Sequence, residues 1–170
     1  MKKMPTLQII EGPVGAGKTT FAIKLGRELG TQPLVFDNWM VNLFQADRPE
    51  TDLWVWYAER KARCIFQIME GACGALDHGN DAIVELGLIK SEDRQKLYAA
   101  LDEERRAYLV HVLDTAREER QRRFAKRNIQ QGETFAMHVS EDIFVLTSDM
   151  WEPVSDAERE GRERNFRLKI

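Results

Sequence analysis

The sequence predicts an α/β three-layer sandwich built on a five-stranded, mainly parallel sheet with a helical lid, and three observations carry that expectation. Short apolar, β-branched runs alternate with stretches of helical period from Thr6 to the end of the chain, the order that builds a parallel sheet through helical crossovers. The first run leads through the glycine-rich loop Gly12-Pro13-Val14-Gly15-Ala16-Gly17-Lys18-Thr19 directly into a helix. That loop fits the phosphate-binding pattern G-x-x-x-x-G-K-S/T at every fixed position, so the fold expected is that of a P-loop NTPase.

The chemistry of the loop follows from its residue types. Glycines adopt the positive φ that turns backbone N–H groups inward around phosphate oxygens. Lys18 is placed to reach the β- and γ-phosphates, and the Thr19 hydroxyl suits Mg²⁺, a hard cation that takes oxygen ligands. With Thr20 opening the helix behind them, Gly12 to Thr20 form the expected binding segment for ATP and Mg²⁺.

Length and composition set the bounds. At 170 residues and 43% hydrophobic content the chain has the size of one domain with a proper core, so residues 1–170 are expected to form a single unit. No stretch approaches the eighteen or so apolar residues of a membrane span, and the apolar run behind the basic start is too short for a signal peptide, so a soluble, cytoplasmic protein is expected. Cys64 and Cys73 lie nine apart without a C-x-x-C pair or a histidine at ligand spacing, which reads as two buried thiols. A net charge of −3 argues against a general footprint for nucleic acid, although Arg117, Arg120, Arg122, Arg123, Lys126 and Arg127 concentrate positive charge in one segment.

Taken in order, Thr6–Glu11 reads as the first strand and Thr20–Leu29 as the helix after the loop, stopped at Gly30. Pro33–Phe36 reads as a second strand ending at Asp37. In an open parallel sheet that edge holds the ligand crevice, so Asp37 faces the phosphate loop or simply caps the next helix. A long helix is expected from about Thr51 to about Asp77, its aromatic residues packing in the core, with Arg60 and Arg63 as solvated side chains in preference to holders of an anionic substrate in the cleft. Asp81–Leu86 is a third strand, and Glu85 near its end is the candidate carboxylate for orienting the waters of Mg²⁺.

Ser91 is expected to cap a helix through about Glu104, and Ala107–Leu113 forms a fourth strand in which His111 reads as a core residue. His138 carries no signal of its own. Thr115-Ala116-Arg117-Glu118 has the form of a capping box, which gives the basic segment a defined helical start and sets Arg123 and Arg127 on one face. Residues 128–139 read as a flap, so that lid and flap together span about 117–140. Ser140 opens a helix through about Trp151, the charged 155–164 stretch reads as solvent-facing, and Asn165–Ile170 alternates as a fifth strand.

With these residues in place, the chain resembles the small P-loop kinases of the zeta-toxin and chloramphenicol-phosphotransferase type. The likeness rests on the loop Gly12 to Thr19, on Asp37-x-Trp39-Met40-x-x-Leu43-Phe44, on the strand tipped by Glu85, on Arg123-x-x-x-Arg127-Asn128, and on Gly132-Glu133-x-Phe135 with Ser140-Glu141 after it. It implies transfer of a phosphoryl group from ATP·Mg²⁺ to a hydroxyl of a small-molecule acceptor. Asp37 would then be the base, Lys18 would meet the phosphates, and Arg123 and Arg127 would contact adenine or the phosphates. Two positions depart from the family pattern: Met40 stands where many relatives carry an arginine, and Glu85 stands where the third strand ends in Asp. A nucleotide-dependent switch with slow ATPase activity and a kinase of nucleic-acid 5′-hydroxyl ends are the alternatives.

Overall fold

Five strands, β1 (Leu7–Glu11), β2 (Leu34–Val35), β3 (Ala82–Glu85), β4 (Tyr108–Leu113) and β5 (Phe166–Lys169), form one sheet in the order β2-β3-β1-β4-β5. Every pairing is parallel. The computed structural model describes residues 4–130 and 140–169, without the side chains of residues 127 and 130. Parallel neighbours need crossovers, and helices supply them: α1 (Lys18–Leu29), α2 (Phe36–Phe44), α3 (Leu53–Asp77), α4 (Ser91–Glu103) and α5 (Arg117–Gln130). Two further helices, α6 (Glu141–Met150) and α7 (Asp156–Arg159), precede the last strand.

Strand periodicity explains the layers. Alternate residues point to opposite faces, so Leu7, Ile9 and Val84 join Ile68 and Ala72 of α3 and Tyr98 of α4 in the larger core. Ile10 and Ile83 turn the other way, onto Ala22, Phe21 and Leu25 of α1. Within α3 the buried positions Cys64, Ile68, Ala72 and Leu76 recur every fourth residue, one stripe along a 25-residue helix. The strand β1 is buried along its whole length, as a central parallel strand must be.

Chain direction across the sheet reverses at β1, which places a crevice at its carboxyl end. The phosphate loop occupies that end. Register fixes the rest of the edge, because Val35 lies beside Glu85 in the β2–β3 pair and Ile9 beside Val84 in the β1–β3 pair. Thus the ends of β1, β2 and β3 open on one cleft.

Several local expectations are corrected. The second strand stops at Val35, not Phe36, because Phe36 and Met40, four apart and both buried, start α2 against the core. Ser91 is the first residue of α4 and not its cap: the cap is Lys90, while the Ser91 amide donates to Glu152 at 2.7 Å and its hydroxyl to Glu158 at 2.8 Å. The basic helix starts at Arg117, so the position before it is Ala116 and not Thr115, whose hydroxyl donates to the Ala16 carbonyl at 3.5 Å. A capping box does form at Ser155 and Glu158, in the stretch expected to face solvent, and Glu158 is fully buried there. Ser140 caps α6 as expected, accepting from the Ile143 amide. The flap proposed over 128–139 begins as the last turn of α5, and residues 131–139, with His138, lie outside the described residues.

Candidate functional site

Gly17 holds a left-handed conformation, φ 89°, immediately before α1, and Gly15 has φ 77°. Both values strain any residue with a Cβ, and together they fold the loop back over the start of the helix. The first helical hydrogen bond runs from the Phe21 amide to the Gly17 carbonyl at 2.9 Å, so the N–H groups of Lys18, Thr19 and Thr20 have no intrahelical acceptor. Such a helix N-terminus attracts anions through those donors and through the helix dipole.

The side chains of the loop converge. Lys18 Nζ donates to the Pro13 carbonyl at 3.0 Å and stands 3.9 Å from Glu85 Oε1. Thr19 Oγ1 donates to Glu85 Oε2 at 2.9 Å. One carboxylate therefore spans the ammonium and the hydroxyl that the motif supplies. The set of hydroxyl, carboxylate and orphan amides is an oxygen-rich, hard environment beside an anion cradle, and it fits Mg²⁺ with a nucleoside triphosphate.

Asp37 sits in the first turn of α2, two residues beyond Val35, the neighbour of Glu85. The cap position belongs to Val35, and Asp37 is exposed, so the simple capping role does not apply. Its charge is felt on α3. Burial pushes the Tyr57 hydroxyl up to about 12 with help from Asp37, and the Cys64 thiol is raised by the same two causes.

The basic helix α5 resolves into distinct uses. Arg117 pairs with Asp149 at 2.6 Å, Arg122 and Arg123 share Glu119 at 2.6 and 2.7 Å, and Glu119 is held below the usual carboxylate range, first by its hydrogen bond with Arg123. Arg123 nevertheless reaches the loop: a Cβ on Gly17 would stand 3.8 Å from Arg123 Nη1. The side chain of Arg127 lies outside the described residues, and its backbone continues α5 one turn beyond Arg123. Arg60 departs from expectation, since it is half-buried, 4.7 Å from the centre of the Trp56 ring, while Arg63 is exposed.

Three features had no place in the sequence reading. Arg120 is buried under the loop, donating to the Val14 carbonyl at 2.9 Å, and nothing in the spacing of six basic residues marks it out from the rest. Arg94 and Glu158 form a fully buried ion pair at 2.8 Å across 64 residues of sequence. Glu11, the last residue of β1, is 2% exposed, and its Oε1 has no hydrogen-bond partner among the described residues.

Burial pushes the Glu11 carboxyl up to about 8, with the charges of Arg94 and Lys18 only partly opposing it. A carboxyl that stays protonated in the fold but ionises when unfolded contributes stability that is complete below about pH 4.5 and is lost as pH rises through 8. Glu11→Gln is therefore expected to leave the thermal midpoint at pH 5 nearly unchanged and to raise it relative to the parent at pH 9. Parallel melting curves for the two proteins across that range check it. His111 is as expected a core residue: its Nε2 meets Gln8 Oε1 at 2.7 Å, and burial, then Lys169 and Arg167, push it down to about 4. Cys64 is buried and Cys73 half-buried, both free.

Comparison with known proteins places the chain in a class. A family model described as an AAA domain matches residues 7–143, and the chain belongs to that family. Its fold is shared with solved kinases at low sequence identity. A kinase candidate from Chloroflexus aurantiacus aligns with a TM-score of 0.67 at 18% identity, covering 89% of this chain and 79% of that one. A sugar kinase from Janibacter sp. HTCC2649 aligns at 0.63 and 17%, covering 97% and 84%. A chain of the Pnkp1/Rnl/Hen1 RNA repair complex aligns at 0.59 and 19%, covering 95% of this chain and 47% of that chain. No curated protein matches it. The fold is thus of the P-loop NTPase type, an α/β sandwich on an all-parallel sheet. Among the described residues no helix is long and apolar enough to cross a membrane.

Proposed function

We propose that this chain is an ATP-dependent phosphotransferase acting on a hydroxyl of a small-molecule acceptor, with residues 1–170 as one kinase-like domain. The observation that carries the reading is the convergence of Lys18, Thr19 and Glu85 at the phosphate loop, with Glu85 Oε2 bonded to Thr19 and Oε1 3.9 Å from Lys18. Bound ATP·Mg²⁺ would supply the transferable γ-phosphoryl group and a cation that offsets its charge.

The residues then divide the work. The loop from Gly12 to Gly17, with the amides of Lys18, Thr19 and Thr20, holds phosphate oxygens, and Lys18 meets the terminal ones. Thr19 and Glu85 hold the metal and its waters. Asp37, exposed at the adjoining strand end, accepts the proton of the acceptor hydroxyl. Arg123, close to Gly17, and Arg127 one turn on, neutralise charge on the transferring group. Such catalysis is mostly positioning and electrostatics.

A small acceptor is favoured over a nucleic-acid end by what α5 does with its charge. Arg117 and Arg122 are paired with acids, Arg120 is buried, and Arg123 and Arg127 are taken up by the transferring group, which leaves little of the basic segment to track a phosphate backbone. The likeness to a chain of an RNA repair complex is the reason to keep the oligonucleotide as a comparison. Release of ADP from Mg·ATP, screened against hydroxyl-bearing metabolites, antibiotics and nucleosides with a 5′-hydroxyl oligonucleotide alongside, tests the reading. Stimulation by a small hydroxyl compound supports it, and slow hydrolysis that no acceptor accelerates assigns the chain to the nucleotide switches instead. Asp37→Asn is expected to keep the parental affinity for Mg·ATP and to lose about 10²–10⁴-fold in transfer rate, the range for general-base catalysis. Calorimetry and acceptor-stimulated ADP release, measured on the same sample, separate the two effects.

A further inference from the structure

Arg120 is engaged on several sides beside the phosphate loop, and no role in binding or transfer has yet been attached to it. It is 6% exposed. Nη1 donates to the Val14 carbonyl at 2.9 Å and to Ser148 Oγ of α6 at 3.0 Å, while Nε donates to the Thr115 carbonyl at 3.0 Å. The guanidinium carbon stands 5.8 Å from the centre of the Phe144 ring. Three segments meet on this one group: the loop, the start of α5 and the middle of α6.

The backbone repeats the contact. A Cβ added at Gly15 would stand 3.0 Å from the Arg120 carbonyl oxygen, 3.2 Å from its Cβ and 3.4 Å from Phe144. The central glycine of the loop is thus where α5 and α6 press against it, which ties a loop carbonyl and a loop Cα to the same residue. Burying a guanidinium without a carboxylate partner costs stability. Among the described residues the hydrogen bonds of Arg120 go to two carbonyls and a hydroxyl, none to a carboxylate. A neutral side chain would fill the space with a smaller penalty, so the charge and the fork geometry are retained for something besides packing.

We propose that Arg120 is a positioning residue of the phosphate site: by clamping the Val14 carbonyl to α5 and α6 it fixes the curvature of the loop, and its charge, hydrogen-bonded to no carboxylate among the described residues, adds to the positive field beneath the bound phosphates. The proposal rests on the nucleotide-binding reading above and adds that the geometry of the loop is set from outside the motif. Carbonyl groups that point away from the ligand leave the amides pointing toward it, and the fork bonded to Val14 holds that choice in place. Ser148 is the second half of the clamp, since it accepts from the same nitrogen that grips the loop.

Calorimetric titration of Mg·ATP into the parent, Arg120→Met, Arg120→Lys and Ser148→Ala, with melting curves on each, tests this. Arg120→Met is expected to weaken Mg·ATP about tenfold to a hundredfold, the scale of a hydrogen bond made by a charged donor. Arg120→Lys should recover part of the loss through its charge, and Ser148→Ala should lose about threefold, the scale of a neutral hydrogen bond. A merely structural arginine would lower the thermal midpoint of Arg120→Met and leave the dissociation constant of the folded protein unchanged. Parental affinity in folded Arg120→Met overturns the proposal, and if that variant does not fold, parental affinity in Ser148→Ala does so. Failure of the parent itself to take up Mg·ATP removes the nucleotide-binding reading, a result distinct from loss of the clamp alone.

Discussion

Lys18→Ala is expected to lower kcat/KM for phosphoryl transfer by about 10²–10³-fold or more, the cost of deleting one preorganised donor aimed at developing charge. The ammonium is held at the mouth of the loop by the Pro13 carbonyl at 3.0 Å, with Glu85 at 3.9 Å on its other side. Its loss removes the one positive side chain of the motif and leaves the Glu85 carboxylate without its 3.9 Å partner, so the phosphates would face more negative charge than in the parent. The fold has a smaller stake in it: the ammonium is mostly buried, but Glu85 keeps its hydrogen bond from Thr19 when the lysine is lost, and alanine is the better helix former at the first position of α1. Melting temperature is accordingly expected to stay within a few degrees of the parent. Lys18→Arg should not rescue, since a wide planar fork does not occupy the place of a compact ammonium. Acceptor-stimulated ADP release and melting curves, with calorimetry of Mg·ATP, measure all three; a parental rate in Lys18→Ala would remove the phosphate loop from the chemistry.

What the sequence disclosed and what it did not divide along a physical line. The loop, β1 and α1 were legible because their signals are local: a spaced set of glycines, a lysine and a threonine between a β-branched run and a helical period. Glu85 was legible for the same reason, as an acid at the tip of an apolar strand. Strand order was not, since nothing local says that β3 and not β2 lies beside β1, yet that order is what brings Glu85 to 2.9 Å from Thr19. The error at Phe36 shows a short apolar run being read as strand when burial at Phe36 and Met40 selects a helix. Arg120 and Glu158 were hidden more deeply. Each sits in a charged stretch that reads as solvated surface, and only partners 106 and 64 residues away, Val14 and Arg94, take them inside.

That second pair carries the largest effect expected on stability. Arg94 and Glu158 have no exposed side-chain surface, and each is supported beyond the ion pair: Arg94 donates to the Leu88 and Glu152 carbonyls at 3.2 and 2.8 Å, and Glu158 accepts from Ser91 Oγ at 2.8 Å. Burial opposes the charge on Glu158, but hydrogen bonds from Arg94, Ser91 and the Ser155 amide outweigh it and hold the carboxyl below the usual range. Glu158→Ala would strand a buried guanidinium, a change that costs about 3–5 kcal/mol, or roughly 6–20 °C in thermal midpoint for a domain of this size. The double variant Arg94→Met with Glu158→Leu should recover much of that loss, because a buried pair is worth little over apolar replacements, although the carbonyls of Leu88 and Glu152 would then lose a donor. Since the Glu158 pKa is lowered on folding, its contribution is present above the ordinary carboxylate pKa and fades as pH falls, the reverse of Glu11, whose contribution fades toward pH 8. The parent should therefore be most stable in the weakly acid to neutral range, and Glu158→Ala should flatten the acid limb of the curve while leaving the alkaline limb in place. Thermal midpoints of the parent, the single and the double variant from pH 3 to pH 9 decide it: a single variant as stable as the parent at neutral pH would mean that the pair does not hold α4 to α7.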